Sequence, residues 1–583
     1  MKSISMAAAM LLGWLPLLAQ AFPVAAAEGQ KGMVSSAQHL ATDIGVQMLA
    51  RGGNAVDAAV AVGYAQAVVN ACCGNIGGGG FMLIHQAGGK DIFINFRETA
   101  PAAASADMYL DAQGNPVPGA SLNGYRAAAV PGTVLGLDTA HRRYGKLSRA
   151  TVLAPAIRLA KEGYVLKRGD ADLIELARKR LAKDPEAAKV FLHADGSARR
   201  MGERVVQPAL ARTLSLISRQ GPDSFYKGAT AQKIVKAMQA NGGLISASDL
   251  AQYTVTESEP IRCTYRGYTV LTPPPPSSGG VTLCEMLNIL EGWDLRAAGF
   301  HSAESVRMMV EAMRYAYHDR NTALGDPAFV KNPVERLIAK DYAESIRAKI
   351  SPTQATPSSS LSAEDLPGES DETTHYSVVD RQGMAVSLTY TVNGMFGAAV
   401  MVPGTGVLLN NEMDDFTVKP GVPNLFGLVQ GKKNAIAPGK RPLSSMAPTI
   451  VLDGEQLFMV LGSPGGSRIP TIVLQAMVNV IDFDMQPQEA VDSPRFHHQW
   501  LPDTIFVEPY CLSADTIRVL KSQGYSVTPQ SPWGALELVM PGRLLGGATA
   551  SSGNDSMAGG LMRPGYLYGA HDSRRSAGSA RAE

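Results

Sequence analysis

Thr373 stands at a junction where one residue can supply both a nucleophile and its base. Ahead of it, residues 351–372 read S-P-T-Q-A-T-P-S-S-S-L-S-A-E-D-L-P-G-E-S-D-E, rich in Ser, Pro and acid and poor in aromatics, a composition that marks a mobile segment. Behind it come T-T-H-Y-S-V-V-D, then R-Q-G, then M-A-V-S-L-T-Y-T-V-N. Both arms are β-branched and aromatic, and Asp380 to Gly383 is turn chemistry, so a β-hairpin is expected. With the turn centred near Gln382, paired residue numbers sum to about 764, which puts Thr391 opposite Thr373 or within one residue of it. If the chain is cut before Thr373, its hydroxyl becomes the nucleophile and its new α-amine, with a pKa of about 7.7 to 8.0, the base. Read blandly, the same residues are an interdomain linker followed by two ordinary strand threonines.

Other elements would have to hold such a group. Apolar residues recur at helical spacing from Ala41 to Asn70 around Gly52-Gly53-Asn54, which predicts two helices joined by a tight turn and covering a sheet. Strands follow at Phe81 to His85 and Ile92 to Phe96, leaving Arg97 at an exposed strand end, where side chains meet ligands. Helical periodicity returns at Gln207 to Arg219, Ala229 to Asn241 and Ser302 to Leu324. Pro273 to Pro276 and Ser277-Ser278-Gly279-Gly280 read as irregular chain. Gly465 and Gly466 lie between an apolar strand, Leu457 to Leu461, and a helical run, Ile469 to Ile481; their bare N–H groups suit an oxyanion. His497 and His498 adjoin on an extended segment and point to opposite faces, so they do not chelate one metal ion, and a structural role is assigned to both.

The chain has 583 residues, a length whose prior is several domains, although large enzymes also build one continuous core. With 53 Lys+Arg against 52 Asp+Glu the net charge is +1, which excludes a nucleic-acid reader working by phosphate neutralisation. No H-E-x-x-H, G-x-x-x-x-G-K-S/T or G-x-G-x-x-G motif occurs, and no metal is expected. Residues 1–27 read as an export signal: Lys2, an apolar run from Met6 to Leu18, then small-residue exits at Ala19-Gln20-Ala21 and Ala25-Ala26-Ala27. No later stretch is apolar for the roughly 18 residues a spanning helix needs, so a periplasmic or secreted protein without a stable membrane span is expected. The five cysteines form no disulfide framework by spacing; a Cys263 to Cys284 bridge is conceivable, and burial as small apolar side chains is expected for most.

Several blocks carry a resemblance through essentially the whole mature chain. They include A-R-G-G-N-A-V-D-A-A-V-A from Ala50, N-I-G-G-G-G-F-M-L from Asn75, N-F-R-E-T-A-P from Asn95, A-V-P-G-T-V-L-G-L from Ala129, P-P-P-P-S-S-G-G from Pro273, L-L-N-N-E-M-D-D-F from Leu408, K-R-P-L-S-S-M-A-P-T from Lys440, G-S-P-G-G-S-R-I from Gly462 and P-R-F-H-H-Q-W-L-P from Pro494, besides the Thr373 segment. In this order they resemble the bacterial-type γ-glutamyltranspeptidases. The resemblance implies an α+β fold, the four-layer α-β-β-α sandwich of the N-terminal-nucleophile hydrolases, made as one precursor that cuts itself before Thr373. It implies a large subunit of residues 28–372, a small catalytic subunit of residues 373–583, and a heterodimer of the two. By position, Thr391 hydrogen-bonds the nucleophile, Gly465 and Gly466 form the oxyanion hole, and Arg97, Ser444 and Ser445 take the donor α-carboxylate. Asp415, helped by Asn393 and Glu412, takes the α-ammonium.

Relatives commonly carry a tyrosine in the lid over the site, bonded to the asparagine matching Asn393. Here the lid is Pro420 to Gly431 and the residue is Phe426, which covers without latching. The implied activity transfers the γ-glutamyl group of glutathione and related compounds to water or amino acids without a cofactor. Two alternatives stand beside it. One is a glutaryl-type cephalosporin amide acylase on the same fold, which the retained Asp415 disfavours because a glutaryl group has no α-ammonium. The other is an uncleaved periplasmic binding protein for γ-glutamyl peptides.

Overall fold

The computed structural model describes residues 25–361, 373–543 and 562–583. Most of the expected export segment, the second half of the stretch before Thr373, and Glu372 lie outside them. Two seven-stranded sheets form the centre. In chain order their strands are β1 (Ala27–Gly29), β2 (Met33–Ser36), β3 (Gly79–His85), β4 (Asp91–Phe96), β5 (Thr256–Ser258), β6 (Ile261–Tyr265), β7 (Tyr268–Thr272), β8 (Thr374–Val379), β9 (Ala385–Thr391), β10 (Thr449–Asp453), β11 (Gln456–Gly462), β12 (Glu537–Pro541), β13 (Leu567–His571) and β14 (Ser579–Ala582). One sheet runs β14-β2-β8-β9-β3-β4-β5, the other β1-β13-β12-β11-β10-β7-β6, and the strand pairs are antiparallel throughout.

The sheets face each other through β8, β9, β11 and β12: Ser377 Oγ donates to the Glu537 carbonyl and Ser387 Oγ to that of Leu461, both at 3.1 Å. Helices α1 (His39–Ala50) and α2 (Ala55–Val69) cover the first sheet; α3 (Gly279–Leu290), α4 (Ala303–Ala323) and α5 (Ile469–Ile481) form the layer on the second. The strand period sorts side chains between these layers. On β3, Met82 and Ile84 join the core under α1 and α2, whereas Phe81 and Leu83 join the core between the sheets and α3 to α5. The chain is thus the expected α+β, α-β-β-α sandwich. The turn between α1 and α2 falls at Gly52, φ +85°, and Asn54 caps α2 in a reciprocal pair with Asp57. The helices expected in the middle run Pro208–Gln220, Ala229–Ala240 and Ala303–Ala323.

Three expectations need correction. Gly279 and Gly280 open α3 instead of belonging to irregular chain, because a Cβ at Gly280 would stand 2.2 Å from the Pro273 carbonyl oxygen; glycine is demanded by packing. Four cysteines pair, Cys72 with Cys73 and Cys263 on β6 with Cys284 on α3, leaving Cys511 as the buried free thiol. The stretch expected to be mobile from Ser351 is docked at Ser358, which is 1% exposed: its N–H donates to Asp503, its hydroxyl to the Trp500 carbonyl, and its carbonyl accepts from the Trp500 indole.

Candidate active site

The hairpin register is the one the turn dictates. Thr374 pairs with Tyr390, and Asp380 closes the turn by accepting the N–H groups of Gln382 and Met384 on one oxygen and that of Ala55 on the other. Thr373, 5% exposed, therefore meets the end of β9, and its hydroxyl donates to Thr391 Oγ1 at 3.4 Å. Thr391 Oγ1 also accepts the Asn393 N–H at 2.8 Å, in a turn where Asn393 takes φ +73°. The glycine run before β3 lets the backbone approach this threonine: a Cβ on Gly78 would lie 1.8 Å from the Thr391 carbonyl oxygen.

A cavity opens on Thr373. Thr391, Arg97, Asn393, Asp415, Ser444, Ser445, Phe426 and Gly466 line it, and Arg320 of α4 joins them. Glu412 and Gly465 are not among its lining residues; Glu412 lies against Arg97, and Gly465 precedes Gly466 in the chain. Arg97 leaves β4 fully buried. Its Nη2 donates to Asp415, its Nη1 reaches Glu98 at 3.5 Å and lies 2.7 Å from Glu412 Oε2 without hydrogen-bond alignment, and its Nε donates to the Pro442 carbonyl. Burial works against the Arg97 charge, but Glu412 and Asp415 hold it protonated above the usual arginine range. Burial in turn pushes Glu98 up to about 7 and Glu412 well above an ordinary carboxyl.

The acidic turn is fixed by its own sequence. Asn410 Oδ1 accepts the N–H groups of Ala129 and Glu412, its amide donates to the carbonyls of Gly77 and Ala129, and after Asn411 the residues Glu412–Asp415 form a 3-10 turn. Asp414 points away from the cavity, to Ser121 and the Leu425 N–H of the lid. The serine pair is held by the proline-serine loop: Ser444 donates its N–H to the Pro276 carbonyl, and its own carbonyl accepts from Ser278.

Gly465 and Gly466 take φ +139° and +51° between β11 and α5. Neither N–H is hydrogen-bonded by another of the described residues, and of the two glycines Gly466 lines the cavity. Phe426 is 5% exposed and packed with Tyr317, Leu428 and Trp500; a Cβ on Gly466 would meet its ring at 2.4 Å. His497 bonds Thr471 and Gln499, and His498 bonds Asp503, so the pair braces the second sheet's helices away from the cavity.

Glu98 and Arg320 escaped the sequence reading. Glu98 follows Arg97 directly, and the signal for Arg320 was an arginine recurring within the buried periodicity of Ser302 to Leu324. The arrangement can bind a small zwitterion beside a threonine hydroxyl and stabilise an oxyanion formed there.

The family model described as gamma-glutamyltranspeptidase matches residues 41–559. The glutathione hydrolase proenzyme of Pseudomonas sp. (strain A14) is 51% identical over 551 residues, 94% of each chain. That of Escherichia coli (strain K12) is 47% identical over 534 residues, 91% of this chain and 92% of the relative. Among solved structures, the cephalosporin acylase from Bacillus halodurans superposes with a TM-score of 0.82 at 28% identity, covering 99% of both chains.

Proposed function

The chain belongs to the γ-glutamyltranspeptidase family, and from that membership we propose how its residues divide the work. It is a γ-glutamyl acyltransferase and hydrolase of the N-terminal-nucleophile class, formed as a proenzyme. The observation that carries the assignment of roles is the meeting of Thr373 and Thr391 hydroxyls inside the cavity that Arg97, Asp415 and the serine pair also line.

In maturation, Thr373 Oγ attacks the Glu372 carbonyl, the acyl group shifts from nitrogen to oxygen, and water hydrolyses the ester. This leaves a large subunit, 28–372, and a small one, 373–583, as a heterodimer. In turnover the freed α-amine takes the hydroxyl proton as Thr373 Oγ attacks the γ-carbonyl of glutathione or a related donor. The N–H groups of Gly465 and Gly466 hold the oxyanion, Thr391 orients the nucleophile, and the leaving amine departs with the proton. Water or an amino acid amine then attacks the ester and restores the threonine. Ser444 and Ser445 bond the donor α-carboxylate; Asp415, with Glu412 and Asn393 near, pairs with the α-ammonium. The first 27 residues direct the chain to the periplasm or beyond, and among the described residues no helix is long and apolar enough to cross a membrane.

The acylase alternative shares the fold and gains from Phe426, which lacks a latching hydroxyl, but the acid cluster around Arg97 has no partner in a glutaryl head. Intact-mass measurement and N-terminal sequencing test the assignment. Wild type is expected as two chains with Thr373 at the new terminus, and Thr373→Ala as one chain inert toward a γ-glutamyl anilide. Cleavage of Thr373→Ala at the same bond in a protease-free preparation would overturn it.

A further inference from the structure

Thr373 also lines a second cavity, of about 210 Å³. Cys73, Asp170, Asp172, Arg574 and Arg575 are in its wall, and Cys72 lines a smaller cavity that shares Asn70 and Asp170 with it. The Cys72–Cys73 disulfide thus lies beside the nucleophile, in a wall that Arg97, Asp415 and the serine pair do not share. The turn that carries it is packed on the strands of the site. Asn70 Nδ2 donates to Thr374 Oγ1 at 3.2 Å, the Cys72 carbonyl accepts the Phe396 N–H at 2.7 Å, and a Cβ on Gly74 would stand 2.5 Å from the Tyr390 hydroxyl. Thr374 follows the nucleophile, Tyr390 precedes Thr391, and Phe396 stands three residues after Asn393 in a left-handed conformation, φ +58°. A change at Cys72 and Cys73 therefore reaches the residues flanking Thr373 and Thr391.

We propose that the Cys72–Cys73 disulfide is a thiol-exchange site for the product of the reaction. The proposal rests on the γ-glutamyl reading: when glutathione gives up its γ-glutamyl group, the amine that leaves is cysteinylglycine, which carries a thiol and is released at Thr373. With the donor head in the first cavity, the second is the space open to this dipeptide, and its acids and arginines suit an ammonium and a carboxylate. The dipeptide's thiolate attacks Cys73 Sγ, the Cys72–Cys73 bond breaks, and the electron pair leaves on Cys72 Sγ, which takes up a proton. A second thiolate attacks the dipeptide's sulfur in this mixed disulfide. The dipeptide disulfide departs, and Cys73 Sγ takes up a proton in turn. Two product thiols are oxidised to one disulfide, and the protein pair is reduced by the same two electrons. Arg574 and Arg575 in the same cavity favour the Cys73 thiolate that leaves in the second step. With the ring open, the turn from Asn70 to Gly74 no longer holds Thr374 and Phe396 in place, and a rising concentration of thiol product slows the enzyme.

The test incubates mature enzyme with cysteinylglycine, traps free thiols with iodoacetamide and maps the peptides. Alkylation or the dipeptide adduct is expected on Cys72 and Cys73 at thiol concentrations that leave Cys263–Cys284, within the core between β6 and α3, closed. In a parallel sample freed of thiol without trapping, kcat for a γ-glutamyl anilide is expected to be lower on the order of tenfold, with KM within about twofold, because the nucleophile is displaced and the head-group residues are not. Reoxidation with diamide should restore the bond and the rate together. Cys72→Ser/Cys73→Ser has no bond to exchange, and its kcat is expected to be the same before and after thiol. Should that variant fail to mature, the restoration by diamide carries the comparison. Both pairs remaining closed, Cys263–Cys284 opening first, or an opened Cys72–Cys73 pair with unchanged kcat overturns the proposal. A wild-type enzyme inert toward the anilide before any thiol is added overturns the proposed function instead.

Discussion

Phe426 covers the cavity from the expected lid, 5% exposed. Its ring is wedged against Gly466 in a cavity that Asn393 also lines, and its polar ties are those of its backbone, the N–H donating to Asn424 and the carbonyl accepting from Gln499. Phe426→Tyr adds a hydroxyl that can reach Asn393, and one such bond contributes about 0.5 to 1.5 kcal/mol, a factor of roughly two to ten in closure. Glutaryl-cephalosporin turnover is expected to fall relative to γ-glutamyl turnover, compared as kcat/KM in one preparation. Asn393→Ala in the tyrosine background should cancel the shift. An unchanged ratio in Phe426→Tyr would mean that the two rings are packing equivalents. Part of this site could be read from sequence because its residues sit in short, dense motifs, from N-F-R-E to M-D-D-F. Arg320 was not, since it recurs on α4 with Arg307 and Arg314, and their spacing does not say which of the three lines the cavity.

The strand ends hold a pH-sensitive tie. His571, at the end of β13, bonds Glu537 of β12 at 2.9 Å and the Arg575 carbonyl at 2.7 Å, and Glu537 also accepts from Ser35 of β2 at 2.5 Å. Burial alone would lower the His571 pKa, but Glu537 and that carbonyl raise it from 6.5 to about 9. A folded value above the unfolded one stabilises fully below pH 6.5, and that stability is lost as pH rises through about 9. The change should reach on the order of 2 to 3 kcal/mol between these limits. Thermal melts from pH 6 to 10 should show the decline in wild type and a flatter profile in His571→Gln; parallel profiles would remove the histidine from the account.

The hairpin was the most legible element, because a four-residue turn and period-two alternation are local, and Asp380 enforces both. The Cys72–Cys73 disulfide was opaque, and the Cys263–Cys284 bridge was raised without support from spacing. Cys263 and Cys284 meet only because β6 and α3 pack together, and Cys72 and Cys73 form no spacing motif.

At the scale of the molecule the two proposed subunits are interleaved. β2 of the large part lies between β8 and β14 of the small, β1 pairs with β13, and β9 and β10 of the small part pair with β3 and β7 of the large. Cutting before Thr373 breaks one bond and no strand pairing. The matured halves should therefore elute together in size exclusion and unfold in a single denaturant transition followed by both fluorescence and circular dichroism. Separation of the halves without denaturant would contradict this topology. The four layers were legible only through family resemblance, since hydrophobic period predicts strands but not which distant strand completes a sheet.

The pairing of β2 with β14 also sets an order of assembly. Residues 33–36 are made long before residues 579–582, with which they pair, and Glu583 donates its N–H to the Gly32 carbonyl at 3.0 Å. A growing chain carries an unfinished sheet edge through nearly the whole of translation. The strand that presents Thr373 is braced on both sides by β2 and β9, all within residues 33–391, and β14 then covers β2. The hairpin of the proposed nucleophile can thus gain both of its neighbours before β14 is made, and the late strand seals an edge that the nucleophile does not touch.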